Sequence, residues 1–102
     1  MKVMLQTTVK IAPGKTVEYM EIEAKSRSLA SKYGMPPWRR YHPLTGDSMH
    51  TIVYEMEFDS LKELESSFEK MFADTERQEI MAKSDKAVVS HENEIYMAAP
   101  YN

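Results

Sequence analysis

RYHPLTGDSMHTIVYEMEFDSLKEL, residues 40 to 64, holds a strand, a glycine-containing turn, a longer strand and a capped helix in unbroken succession. Pro36 and Pro37 rule out a central strand where they stand, so the first arm is read as Trp38 to His42, and Pro43 to Ser48 supply the turn around Gly46. In the second arm, Met49 to Phe58, apolar Ile52, Tyr54, Met56 and Phe58 alternate with Thr51, Val53, Glu55 and Glu57, the two-residue period of a half-buried strand. Ser60-Leu61-Lys62-Glu63 has the spacing of a capping box, in which the serine oxygen accepts from a free amide of the first helical turn. The helix it opens carries Leu61, Leu64, Phe68, Met71 and Phe72 at three- and four-residue steps.

Working outward, Lys2 to Ile11 alternates Val3, Leu5, Val9 and Ile11 with Met4, Gln6, Thr8 and Lys10, a second half-buried strand that Pro13 and Gly14 end. Lys15 to Tyr33 has neither proline nor glycine and aligns Tyr19, Ile22, Ser26, Leu29, Ala30 and Tyr33 on one helical stripe, with Gly34 as the stop. Val17, Met20 and Ala24 form a shorter stripe on the opposite side, which is expected to touch a partner subunit. Asp74 or Thr75 caps a short helical piece to about Lys83, and Ala87 to Ala99 is read as the last strand, with a bulge near Asn93.

Composition narrows the class. The 102 residues fit one domain spanning 1–102, and a chain of this size buries roughly 60–70% of the surface its unfolded form exposes. A hydrophobic share of 42% and a charged share of 28% are those of a globular protein. The net charge of −3 gives no broad attraction to phosphate backbones or anionic lipid, so neither nucleic acid nor membrane is expected as a partner. Without cysteine there is no disulfide, thiolate nucleophile or cysteine-based zinc site, and the N-terminal run lacks the apolar block of a signal peptide. The expectation is a cytoplasmic protein. Its nine methionines suit an irregular core or an adaptable apolar surface.

The order β-α-β-β-α-β, with a minor helix before the final strand, predicts an α+β ferredoxin-like sandwich: two helices on one face of a four-stranded antiparallel sheet. The other sheet face would carry Met4, Val53 and, depending on register, Trp38 among Gln6, Thr8, Thr51 and Glu55. That surface is too apolar for water and too polar for a dry core, and pairing two sheets face to face covers it. A homodimer through the sheet face is therefore expected.

The pattern Arg-Tyr-His-Pro-Leu-Thr-Gly, followed by Thr-Ile-Val-Tyr-Glu-Met-Glu-Phe-Asp-Ser-Leu-Lys-Glu-Leu-Glu, spanning Arg40 to Glu65, resembles the NIPSNAP-like family of the dimeric α/β-barrel superfamily. The Thr45-Gly46 turn and the Glu57-Phe58-Asp59-Ser60-Leu61 junction are the most specific parts. The resemblance implies a protomer that dimerises through its sheet to enclose a barrel-like cavity. It implies no single activity, since the wider superfamily includes cofactor-free monooxygenases, haem-degrading enzymes, lactone isomerases and plain ligand binders. The chain has no family catalytic signature to carry over residue by residue.

Candidate chemistry centres on the hairpin. Glu55 and Glu57 share one strand face, and Arg40 from the neighbouring strand is the natural group to orient Glu55 as a general base. An even number of turn residues puts Arg40 opposite Thr51 and Trp38 opposite Val53, on the face bearing Glu55, and an odd number reverses this. The competing reading is a structural ion pair. Trp38 offers an aromatic wall to a flat ligand or closes the end of the barrel. His42, His50 and His91 lack metal-site spacing and are read as surface or hydrogen-bonded histidines, so no metal and no cofactor are assigned. Tyr19 and Tyr33 are read as core residues. The ligand-binding candidates are therefore Trp38, Arg40, His42, Thr51 and Glu55, with Arg40 and Glu55 the candidate catalytic pair.

These residues support three functions. The first is a homodimer that binds a small molecule between or beside the paired sheets. The second is a cofactor-independent monooxygenase or isomerase of an aromatic or polyketide-like substrate, and the third is an interaction module with no accessible cavity.

Overall fold

Strand pairing assigns every side chain to one of two faces. In the computed structural model, which describes residues 1–99, the elements run β1 (Val3–Ile11), α1 (Thr16–Leu29), a 3-10 turn (Ala30–Tyr33), β2 (Trp38–Tyr41), β3 (Thr51–Phe58), α2 (Leu61–Ala73), α3 (Thr75–Ala87) and β4 (Val88–Met97). The strands form one antiparallel sheet in the order β2-β3-β1-β4, the ferredoxin-like arrangement expected.

β1 and β3 are the central strands, and their register sets Val3 against Phe58, Leu5 against Met56 and Val9 against Ile52. Residues directly opposite in an antiparallel pair project to the same side. All the large aliphatic partners therefore meet beneath the helices. Ile52 is 0% exposed and Val9 and Ile11 are 2% exposed, packed with Tyr19 of α1 and Ala87 at the end of α3. Full burial of a side chain such as Ile52 is worth about 1.5–3 kcal/mol. A second cluster joins Val3, Leu5 and Phe58 to Leu64 of α2, and a third joins Leu29, Tyr33 and Ile80 where the helices meet.

The helix boundaries have local causes. The Ser60 hydroxyl accepts from the Glu63 N–H at 3.1 Å and starts α2. Asp74 breaks the chain between α2 and α3 and caps the latter, its carboxylate accepting from the Glu76 N–H at 3.1 Å. Gly34, at φ 69°, ends the 3-10 turn in the left-handed conformation that costs glycine least.

Three expectations need correction. The helix after Asp74 is no short piece ending near Lys83: it continues to Ala87, whose buried methyl anchors it to the sheet. The bulge in β4 lies at Val89, where the partner of β1 jumps from Val88 to Ser90, and Asn93 pairs regularly with Thr7. Leu61 and Phe72, on the predicted stripe of α2, are 46% and 61% exposed, because they sit at its margins, beyond the reach of the sheet.

The protomer is a thin slab of 46 × 36 × 17 Å. Its radius of gyration is 14.4 Å. A compact chain of this length measures about 13 Å. β4 lies at one edge of the sheet and is exposed on both faces from Glu92 onward.

Candidate functional site

A cavity of about 310 Å³ opens between the sheet and the helices, and its size falls within the range of small-molecule sites. Its walls are mainly apolar, and Met35, Met56, Met71 and Met81 together with Phe68 and Trp38 give it a soft, aromatic lining. β2 and β3 bring Trp38 and Tyr54 to one side, where their rings meet edge to face at 6.3 Å between centroids. The Arg27 guanidinium lies 5.8 Å from the Trp38 ring centroid and holds that ring in place.

The charged groups enter this lining at two points, apart from a neutral pair in which the Thr7 hydroxyl donates to Asn93 Oδ1 at 2.7 Å. The first is built on Glu23, one turn after Tyr19 on α1, so both side chains point down onto the sheet. The Glu23 carboxylate is only 10% exposed and accepts from the Arg40 Nε at 2.8 Å. It also accepts a short hydrogen bond from the Tyr54 hydroxyl. Because Tyr54 spends its proton on Glu23, the Tyr19 hydroxyl, 2.7 Å away, is the donor to Tyr54. The result is an oriented relay from Tyr19 through Tyr54 to Glu23, with Arg40 neutralising the buried charge. An ion pair at this depth persists only when its remaining bonding capacity is met, and here the Tyr54 hydroxyl meets it on Glu23 while His42 and the Met20 sulfur meet it on Arg40.

Ionisation follows from this environment. Burial pushes the Tyr54 phenol far above its usual range, and the bond to Glu23 pushes it further. Tyr54 is thus a fixed hydrogen-bond donor at any ordinary pH. Burial also raises the Tyr19 phenol, and its interaction with Tyr54 opposes the rise. For Arg40 burial opposes the charge, but the hydrogen bond and attraction of Glu23 outweigh it and its pKa rises.

The second polar point is on α3. Arg77 lines the cavity and donates through Nη1 to the Ser26 hydroxyl of α1 at 2.8 Å, while its buried Nε has no partner among the described residues. Burial lowers its pKa. His91, on β4 at the cavity wall, is also lowered, by burial and then by the Arg77 charge, which keeps it neutral at pH 7. Tyr33 also lines the cavity, and burial raises its phenol to about 12, reinforced by its 2.7 Å hydrogen bond to Asp74.

The sheet separates the residues proposed from the sequence. The loop of residues 42–50 between β2 and β3 has an odd number of residues, so Arg40 pairs with Tyr54, and Trp38 with Met56, on the helix-covered face. Glu55 pairs with Arg39 and Gln6 on the opposite face, so Arg40 orients Glu23 and has no access to Glu55. Trp38 lines the cavity, and His42 touches the Arg40 Nη1 at 3.1 Å outside it. Thr51 is buried on the far face beside Lys10. His50 binds Asp47 at 3.0 Å, so the three histidines occupy separate places.

Glu23, Tyr54, Tyr19 and Arg77 escaped the sequence reading. One signal was present. Glu23 falls next to Ile22 and Ser26 on the stripe that faces the sheet, and Arg77 shares a helical face with Ile80, Met81 and Ser84. A charge on such a stripe needs a partner inside the protein.

The NIPSNAP family model matches residues 7–102. No curated protein sequence matches the chain. Among solved structures, a NIPSNAP-like domain protein from Burkholderia xenovorans superimposes with a TM-score of 0.81 at 13% identity, over 99% of this chain and 88% of that one. A NIPSNAP family protein from Agrobacterium tumefaciens gives 0.79 at 15% identity, over 99% and 89%. SnoaB, a cofactor-independent oxygenase from Streptomyces nogalater, gives 0.68 at 11% identity, over 98% and 95%. At these identities the likeness to each structure is one of fold.

The raised phenols make stability sensitive to alkali. The fold favours protonated Tyr33, so its contribution is complete below pH 10, the unfolded value, and disappears as pH rises toward the folded value of about 12. Spectrophotometric titration of phenolate absorbance should show Tyr33 ionising about two pH units late, with the late fraction reduced in Tyr33→Phe. A titration in which every tyrosine ionises near pH 10 would contradict this.

Proposed function

The chain belongs to the NIPSNAP family, and we propose that it is a homodimer, paired through the open sheet faces, that binds a small, largely flat apolar molecule in the cavity between each sheet and its helices. The cavity carries this reading: about 310 Å³ of mainly apolar space with a few fixed polar groups is the form small-molecule sites take. N-phenyl-1-naphthylamine, a neutral dye that brightens in apolar sites, is expected to fluoresce on addition to the protein. Met81→Trp, which fills the cavity, is expected to abolish the signal while circular dichroism stays unchanged. No brightening with the unaltered chain would sink the proposal.

Dimerisation rests on the surfaces that the lone protomer leaves uncovered. On the open face Met4 and Val53 are half-buried among Gln6, Thr8 and Glu55, and Tyr41 and Tyr96 are exposed at 45% and 43%. β4 adds a long exposed edge, which proteins ordinarily cover or blunt. Analytical ultracentrifugation should find a dimer at micromolar concentration. Val53→Asp, which sets a carboxylate beside Glu55 on that face, should give a monomer, and a monomeric unaltered chain would overturn the pairing.

The relay favours a second reading, a cofactor-independent oxygenase of aromatic ketones. Tyr19, Tyr54 and Glu23 form a path along which a substrate proton can leave, and SnoaB, whose fold the chain shares, is a cofactor-independent oxygenase. Dithranol, a flat ketone with an acidic ring CH2, would then be oxidised to the quinone with uptake of one O2: one oxygen atom becomes a new carbonyl at that carbon, and the other leaves with its two hydrogens as water. Oxygen consumption should fall at least tenfold in Glu23→Gln and stay unchanged in Glu55→Gln. Equal rates with and without protein would leave binding as the function.

A further inference from the structure

Arg77 is a half-buried cation without a counter-charge among the described residues, and its buried Nε has no partner there. The buried charge on the other side of the cavity, Glu23, has one in Arg40. Arg77 forms no salt bridge with any described carboxylate, and its one hydrogen bond goes to the neutral Ser26. Its neighbours are phenols, Tyr19 and Tyr33, which burial keeps protonated, and the imidazole of His91, kept neutral by the same cause. Placing a guanidinium in such surroundings is costly unless something pairs with it.

The desolvation has a use if the missing charge arrives with the ligand. In a site shielded from water an arginine and a carboxylate attract more strongly than at a surface, and the guanidinium fork matches a carboxylate in shape. The Ser26 hydroxyl holds Nη1, and Nη2, which has no hydrogen bond among the described residues and is not buried, keeps its donors for a ligand. The chain as a whole carries −3, so no general attraction would draw an anion there, and recognition has to come from this single cation. Trp38 and Phe68 line the same cavity and suit a flat ring system.

We propose that the cavity recognises an aromatic carboxylic acid, whose ring system lies against Trp38 and Phe68 and whose carboxylate pairs with Arg77. This rests on the cavity being a ligand site, and names the class of ligand that it takes.

The test compares 2-naphthoate with 2-naphthamide, a neutral molecule of nearly the same shape, by isothermal titration calorimetry on the intact chain. Naphthoate should bind at least about tenfold more tightly, the scale of one charge-assisted hydrogen bond. In Arg77→Gln that preference should vanish, with naphthamide binding unchanged to within about twofold. Arg77→Lys, which keeps the charge, should retain part of the preference and guards against a glutamine variant that fails to fold. Equal affinity of the two compounds for the unaltered chain, or a preference that survives Arg77→Gln, would overturn the assignment. If the neutral dye brightens but neither naphthyl compound binds, the acid-binding inference fails alone; if the dye is dark as well, the cavity reading fails with it.

Discussion

The β1–β3 register is the constraint on which the rest depends. Once Val9 stands opposite Ile52, every residue on the two central strands is committed to the helix side or the open side, and both neighbouring strands inherit the same parity. A slip of one residue would place Glu55 and Glu57 in the core and Ile52 in water, an exchange no other interaction in a chain of this size could offset. The same parity brings Trp38, Arg40 and Tyr54 beneath α1 and leaves Arg39, Val53 and Glu55 outside.

Inside that frame the polar residues divide into a satisfied group and an unsatisfied one. Glu23, Arg40, Tyr54 and Tyr19 use one another's bonding capacity and hold α1 against β2 and β3. Such a network is rigid because loosening any member exposes a charge to a medium that solvates it poorly. Arg77 tethers α3 to α1 through Ser26 with less compensation. The cavity lies between a wall that is electrostatically complete and one that is not.

How far the sequence revealed this depended on how local the signal was. The cap at Ser60, the break at Asp74 and the stop at Gly34 are each written in a few adjacent residues, and the structure has all three. Period-two alternation placed the strands and identified the open face. The parity of the hairpin loop is a different kind of information. Residues 42–50 follow no tight-turn rule, and only the pairing of both arms in the complete sheet fixes whether Arg40 faces Tyr54 or Thr51. One odd loop therefore separates Arg40 from Glu55, although the alternation within each arm of the hairpin is legible in the sequence. The Glu23 relay was hidden for a related reason, since it joins α1 to two strands far along the chain.

The methionines around the cavity have a chemical consequence of their own. Met35, Met56, Met71 and Met81 present thioether sulfur to the space a guest would fill. Peroxide converts a thioether to a sulfoxide, a polar and stiffer group with a strong acceptor oxygen. An oxidising cell would thus re-line the chamber from grease to dipole without touching the backbone, and reductase repair of those sulfurs would restore it.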